Sequence, residues 1–482
     1  MSLLRGPVLL SLLILALVGL FVFCVPTFQG PDEQIHYGTV QHRAEPKEKT
    51  WPITQSENTL LDGGDITTFH LPEETIKGGQ INQFDEIKWQ SENTQRFSSL
   101  DSSRKEEASF SQQDFKRYID TLPSNASGTT SFYYLVTGQI EKATSATSFF
   151  ERFYNARLFS LVLYLGTILI TLLVARTLFS SSLHQTLFTL LVAFQPMLLA
   201  TGTIVNIDIA LIFSFTVFFL GALSILRKPN SQFFHALLLV SLLLAFFSKG
   251  PGIVLIPLAL SLYFYLWQQK YQLSLVRLFQ TLFCIGILLI LLIVLAIPDS
   301  YLASISNLGA PSKFSSSFQS LLTYSDKTLG FDAFLRTHAS YWGNFGWLDT
   351  KMHTSLLHNI AFIELVAWIG ILLFIFSQKT KNYLPKKAII ILSLGMIFFL
   401  QLAIRFYDWR VFDTTGKIVI GTPGRYFLPT LIPHLIILVT GLGFLITKNK
   451  TQFTTLLKAL ALSMILLCLY AVFDVIIPRY YL

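Results

Sequence analysis

MSLLRGPVLLSLLILALVGLFVFCVPTFQGPDEQIH, residues 1–36, is the stretch on which the reading of the fold turns. Arg5 precedes an apolar run over 6–28, and Asp32, Glu33 and His36 follow it. A secretory leader has the same polarity, but its apolar core is only ~7–15 residues and ends at a small-residue cleavage site. This run is longer and has no A-x-A site, so it reads as a retained first helix crossing a membrane. Two acids and an imidazole then stand where the chain leaves lipid.

The rest of the chain repeats that pattern. Of 482 residues, 52% are hydrophobic and 13% charged, about half the charge fraction of a soluble domain. The apolar residues fall in runs of roughly 17–25, enough to span a ~30 Å hydrocarbon core as helix. Helix satisfies every backbone group within such a run. The expected architecture is an all-α polytopic membrane protein of about eleven transmembrane helices. They cover 6–28, 155–175, 184–202, 205–226, 232–248, 250–268, 275–297, 358–378, 386–404, 425–446 and 453–477. The short pair around SKGPG (248–252) reads alternatively as one helix broken at Gly250–Pro251. The chain divides into the first transmembrane helix (1–28), a large outer loop or subdomain with the acidic motif (29–154), helices 2–7 (155–297), a second outer loop with GWLD (298–357) and helices 8–11 (358–482).

Basic residues in short loops set the orientation. With Arg5 in the cytoplasm, the inside turns carry Arg176, Arg227 and Lys228, Lys270 and Arg277, Lys379 to Lys387, and Lys448 and Lys450. This is a multi-pass protein of the cell membrane with a cytoplasmic N-terminus. Between Gln29 and Phe150 lie 18 of the 28 acidic residues against 11 basic ones, which leaves the remainder at +15. The net +8 therefore describes loops beside a membrane. No basic stripe interleaves with aromatics, so nucleic acid is excluded as a partner. Cys24, Cys284 and Cys468 lie in or beside apolar runs without metal-ligand spacing and read as filler. Segment 40–130 is polar and shows no clean period, so it is a loose subdomain or partly disordered. SFYYLVTGQI (131–140) reads as lying back on the membrane surface.

On this topology six polar clusters share the outer face: PDEQIH (31–36), NID (206–208), SKG (248–250), WGNFGWLDT (342–350), RFYDWR (405–410) and PGRYFLP (423–429). Each has a plain alternative. Asp32 and Glu33 mark the wet end of a helix, and His36 shares a face with Asp32 or is a surface histidine. Asn206 and Asp208 cap a helix. Lys249 snorkels, Arg425 anchors a helix mouth, and Tyr341, Trp342 and Trp347 belong to an aromatic belt. Glu364, two turns into a span, is a site residue by default or pairs with a helix-mouth arginine. Together they place carboxylates opposite cations at a lipid–water boundary. Carboxylates suit a general base or a hard metal, arginine suits phosphate, and aromatics suit a sugar or headgroup. A phosphate-bearing lipid substrate fits all three.

PDEQIH, FQPMLLATGTIVNID, SKGPGIVLIPL, GNFGWLDT and PGRYFLP, in this order, resemble bacterial polytopic proteins catalogued as a domain of unknown function and grouped with the GT-C glycosyltransferases. The likeness covers nearly the whole chain apart from the polar part of 40–130. Ser131 stands where a proline-rich lead is expected, and GTPGRY replaces a glutamine-containing lead. The resemblance implies a GT-C-like fold and an inverting glycosyltransferase. It would move a sugar from a polyprenyl-phosphate donor to a cell-envelope glycan or lipid-linked acceptor, with membrane lipids as its surroundings. In that reading Asp32 is the catalytic base and Glu33 orients the acceptor. Lys249, Arg405 and Arg425 bind the donor phosphate, and His36, Asp208, Trp347, Asp349 and Tyr426 line the site. A divalent metal (Mg or Mn) on Glu33 and Asp349 is compatible but not required. The rivals are a transporter or flippase of lipid-linked sugars, which calls for deep charges and inverted repeats, and a non-catalytic scaffold of an envelope-polymer complex.

Overall fold

Apolar runs without internal water-seeking groups close their hydrogen bonds within one segment, and the described residues are accordingly almost all in helices and the turns between them. A computed structural model describes residues 19–44, 73–90, 92–93, 131–270, 314–378, 381–416, 418 and 421–482. Among these, seven helices are long and apolar enough to cross a membrane: Phe149–Leu178, Asp208–Arg227, Gly250–Gln269, Thr354–Phe376, Lys387–Asp413, Gly424–Ile446 and Lys450–Tyr481. Two further expected spans fall short. The run over 184–202 is split into Ser182–Ala193 and Pro196–Thr201, because Pro196 lacks the N–H that would continue the first helix. Gln195 turns this break into a cap, its side chain accepting from Leu198 N at 2.5 Å. The run over 232–248 gives the 15-residue helix Gln232–Phe246, about 22 Å long and shorter than the hydrocarbon core. A turn at Phe247–Lys249 separates it from Gly250–Gln269, so SKGPG joins two helices. Of the expected spans 6–28 and 275–297, only residues 19–28 are described, helical over 19–24.

Asp208–Arg227 is the central strut. Its apolar window is 89% buried by the rest of the protein, against 28% for Thr354–Phe376, which turns most of its surface outward. Small residues let the backbones of Thr354–Phe376 and Leu431–Ile446 touch, as in close membrane helix pairs. A Cβ on Gly441 would lie 2.0 Å from Ala367 O.

The described segments before Phe149 are largely helical despite their polarity. PDEQIH opens a helix, Glu33–Ala44. SFYYLVTGQI is helical, with one face buried and Leu135 and Val136 exposed. Ser131 caps the helix Phe132–Ala143 by accepting from Tyr133 N at 3.2 Å, and Tyr133 and Tyr134 are buried where it packs on Glu33–Ala44. A capping box between Ser148 and Glu151 starts the first long helix at Phe149. Within the polar 40–130, Glu73–Ile81 and Phe84–Ile87 are helical, and the judgement of disorder on 45–72, 91 and 94–130 lies outside the described residues. A two-rung hairpin, Asn344–Phe345 against Thr350–Lys351, closes the GWLD turn.

Candidate active site

Asp32 sits on a turn with an unusual backbone. Phe28 (φ 65°) and Asp32 (φ 59°) are both left-handed, and His36 N donates to Asp32 O at 2.9 Å as the first helical bond. What holds this turn is Glu33. Its carboxylate is fully buried against Arg157, which donates from Nε to Oε1 and from Nη2 to Oε2, both at 2.8 Å. Val205 N donates to Oε1 at 2.8 Å. Arg157 also donates to the carbonyls of Val22 (2.6 Å), Val25 (2.8 Å) and Pro26 (3.0 Å), which lie in and just past the last turn of the helix over 19–24, where carbonyls lack helical partners. This pair pins three segments together. It corrects the reading of Glu33 as an acceptor-orienting or metal-binding group, because its oxygens are engaged inside the protein.

Asp32 itself faces the cleft, 37% exposed at its side chain. Arg425 Nη2 donates to its Oδ2 at 2.5 Å. Arg425 Nε lies 3.9 Å from Asp208 Oδ2, and Lys249 Nζ donates to Asp208 Oδ1 at 2.6 Å. Tyr426 lies under both cations, 4.4 Å from Lys249 Nζ and 5.2 Å from Arg425 Cζ. Two acids and two cations thus form one neutral chain. Arg425 Nε is buried without a hydrogen-bond partner among the described residues, with Asp208 as its nearest counter-charge. Asp208, Lys249 and Arg425 stand at or just before the starts of Asp208–Arg227, Gly250–Gln269 and Gly424–Ile446, so three positive helix ends converge on the cleft. Asn206 caps the first of these, accepting from Asp208 N at 2.7 Å.

Arg425 is placed by a glycine. Gly424 packs so tightly on helix Phe331–Trp342 that a Cβ would lie 2.1 Å from Thr337 O, and its N–H donates to Ser340 Oγ at 2.5 Å. His36 forms the opposite wall, its Nδ1 bonded to Tyr134 OH at 2.5 Å. Burial pushes its pKa down to about 4. Asp32 and Asp208 oppose that shift, and Lys249 and Arg425 add to it. The ring is therefore neutral at pH 7.

The GWLD loop forms the rim. Trp347 Nε1 donates to Phe28 O at 3.0 Å, tying the loop to the Asp32 turn. Asp349 does not enter the cleft cluster. Its Oδ2 takes Trp89 N at 3.1 Å and Arg479 Nη2 at 3.4 Å. Arg405 also departs from expectation. It donates to Gln401 Oε1 at 3.2 Å and to Thr328 O at 3.3 Å, on the helix Phe314–Leu329, rather than joining Lys249 and Arg425. Among the described residues Glu364 pairs with no arginine. It accepts from Trp342 Nε1 (2.9 Å) and lies 2.9 Å from His338 Nε2 and 3.0 Å from His434 Nε2, a buried brace behind the segment that carries Arg425. Glu33 and Asp349 are each committed to an arginine, and no group of three His, Cys, Asp or Glu among the described residues has the arrangement of a metal site. The donor set expected for Mg or Mn is not assembled by these side chains.

Sequence reasoning missed Arg157, Lys88, Trp89 and Tyr134. Arg157 carried a signal, an arginine inside an apolar run. Lys88 and Trp89 carried none, lying in a polar stretch without period.

Membrane-length helices around one charged cleft define a polytopic membrane protein. The family model described as "Predicted membrane protein (DUF2142)" matches residues 15–433, and the chain belongs to that family. No curated protein and no solved structure matches it.

Proposed function

We propose that this is a GT-C-type inverting glycosyltransferase that moves a sugar from a polyprenyl-phosphate donor to a cell-envelope glycan or lipid-linked acceptor. The observation that carries the reading is the Asp32–Arg425–Asp208–Lys249 chain, a half-exposed carboxylate beside two cations with an unsatisfied arginine N–H. The acceptor hydroxyl gives its proton to Asp32 as its oxygen bonds to the anomeric carbon. The bond from that carbon to the phosphate oxygen breaks on the opposite face, and polyprenyl phosphate leaves with the electron pair. Arg425 and Lys249 stabilise the charge that develops on it. Glu33 is a positioning residue in this scheme, and Arg405 has no part in it. The buried charges Glu33 and Glu364 have close local partners, which favours a fixed site over the moving charges of a transporter.

The test is transfer from a panel of polyprenyl-phosphate sugars by the purified protein in liposomes. Turnover of at least one donor is expected, and none with any donor and acceptor sinks the reading. The outer-face placement has its own check. A cysteine replacing exposed Lys351 should react with an impermeant thiol reagent on intact cells, and one replacing exposed Lys448 only after lysis. Labelling of position 448 on intact cells would invert the topology.

A further inference from the structure

Lys88 and Trp89, which the transfer scheme leaves unused, pack on Trp347, the residue that ties the GWLD loop to the Asp32 turn. Trp89 is 65% exposed, yet it is held on both sides. Its backbone N–H donates to Asp349 Oδ2 at 3.1 Å, and its indole N–H donates to Trp347 O at 3.2 Å. Its φ is 61°, a left-handed conformation that is unfavourable for a bulky side chain. An exposed indole has no packing reason to be kept there. The described residues contain five non-glycine residues with positive φ: Phe28, Asp32, Gln83, Trp89 and Leu348. Phe28 and Leu348 flank Trp347 through the Trp347–Phe28 bond and the chain itself, and Gln83 immediately precedes Phe84, which packs on Trp347 with ring centroids 5.9 Å apart. Backbone strain of this kind gathers where a ligand is gripped.

Lys88 completes the arrangement. Its ammonium lies 3.6 Å from the Trp347 ring centroid and 4.3 Å from that of Trp89. Burial lowers its pKa, opposed by Asp85 and then by Asp32, whose field reaches it. Two indoles at 5.8 Å and 78° thus flank a cation that feels the proposed base. A pyranose has an apolar C–H face that stacks on an indole and a polar edge whose hydroxyls accept from an ammonium, so one ring of that shape satisfies both parts.

We propose that Trp89, Lys88 and Trp347 form a saccharide subsite that receives the pyranose of the acceptor and turns its hydroxyl towards Asp32. The position of the acceptor relative to Asp32 rests on the transfer reading, but binding at the subsite does not. The full chain in lipid nanodiscs is therefore probed with mannotriose, chitotriose and cellotriose by saturation-transfer NMR and by tryptophan fluorescence. At least one trisaccharide is expected to bind. Trp89→Gly removes the ring and suits the left-handed backbone, so it should weaken binding about tenfold or more without lowering Tm. Trp89→Phe should retain part of the binding, and Lys88→Met should weaken it while leaving the apolar stem in place.

Binding by the wild type that is lost in Trp89→Gly supports the subsite even if no polyprenyl-phosphate sugar is turned over, which would remove only the transfer reading. Conversely, transfer that persists in Trp89→Gly with unchanged acceptor KM overturns the subsite and leaves the transfer reading standing. Absence of binding by all three trisaccharides, with Trp89 fluorescence quenched instead by headgroup-labelled lipid, makes Trp89 an interfacial anchor and overturns the subsite as well.

Discussion

Asp32→Asn is expected to lower sugar transfer by about two orders of magnitude or more while protein level and donor binding persist. General-base assistance is typically worth ~10²–10⁴-fold, and asparagine keeps the size and one acceptor oxygen but cannot take the proton. The structure supports a loss confined to chemistry. The Asp32 side chain is 37% exposed against 8% for Arg425, so water screens the pair from the Asp32 side. Asp208 remains 3.9 Å from Arg425 Nε to hold the guanidinium when Asp32 is neutralised. A fall in kcat with little change in donor affinity is the expected signature. Transfer within a few-fold of wild type would reduce Asp32 to an anchor for Arg425 and leave the cleft without its base.

Glu33→Gln should fail differently, in the fold rather than in the chemistry. Glu33 and Arg157 are both 0% exposed, and their bidentate contact is made at 2.8 Å. Removing one charge leaves the other buried without a counter-ion, a loss of about 3–5 kcal/mol for pairs of this kind. Glutamine can still accept one N–H, and Arg157 keeps its three carbonyl partners. The guanidinium charge nevertheless stays in place with nothing to balance it. A large drop in Tm in detergent and in membrane yield is expected, with activity lost in proportion to folded protein. A variant with wild-type Tm and no transfer would return Glu33 to the chemistry. The contrast between neighbouring acids is a sharp test, because only orientation separates them. The left-handed turn at Asp32 sends its carboxylate into the cleft, and the helix that begins at Glu33 sends the next one inward.

The sequence alone determined the class of the molecule. Long apolar runs in a lipid solvent have helix as their local solution, and that solution depends on each run's own residues, so most spans were legible from composition. Among the described residues the exceptions, 184–202 and 232–248, are cut by a proline and by a short helix, and both need the observed boundaries to be seen. Asp32, Asp208, Lys249 and Arg425 were also legible as candidates for one cluster, because charges beside lipid are costly to keep without a partner or a use.

Only the tertiary structure separated their roles. Glu33 and Asp32 are adjacent carboxylates, and Lys249, Arg405 and Arg425 are similar cations. Which of them reach the cleft depends on partners 41 to 393 positions away in the chain. Arg157 draws Glu33 inward across 124 residues, Thr328 holds Arg405 aside, and Gly424 lets the Arg425 segment sit close enough to reach Asp32. Periodicity reports which face of a helix meets lipid. A charge's partner is chosen by packing between segments, and no local pattern in the sequence encodes it.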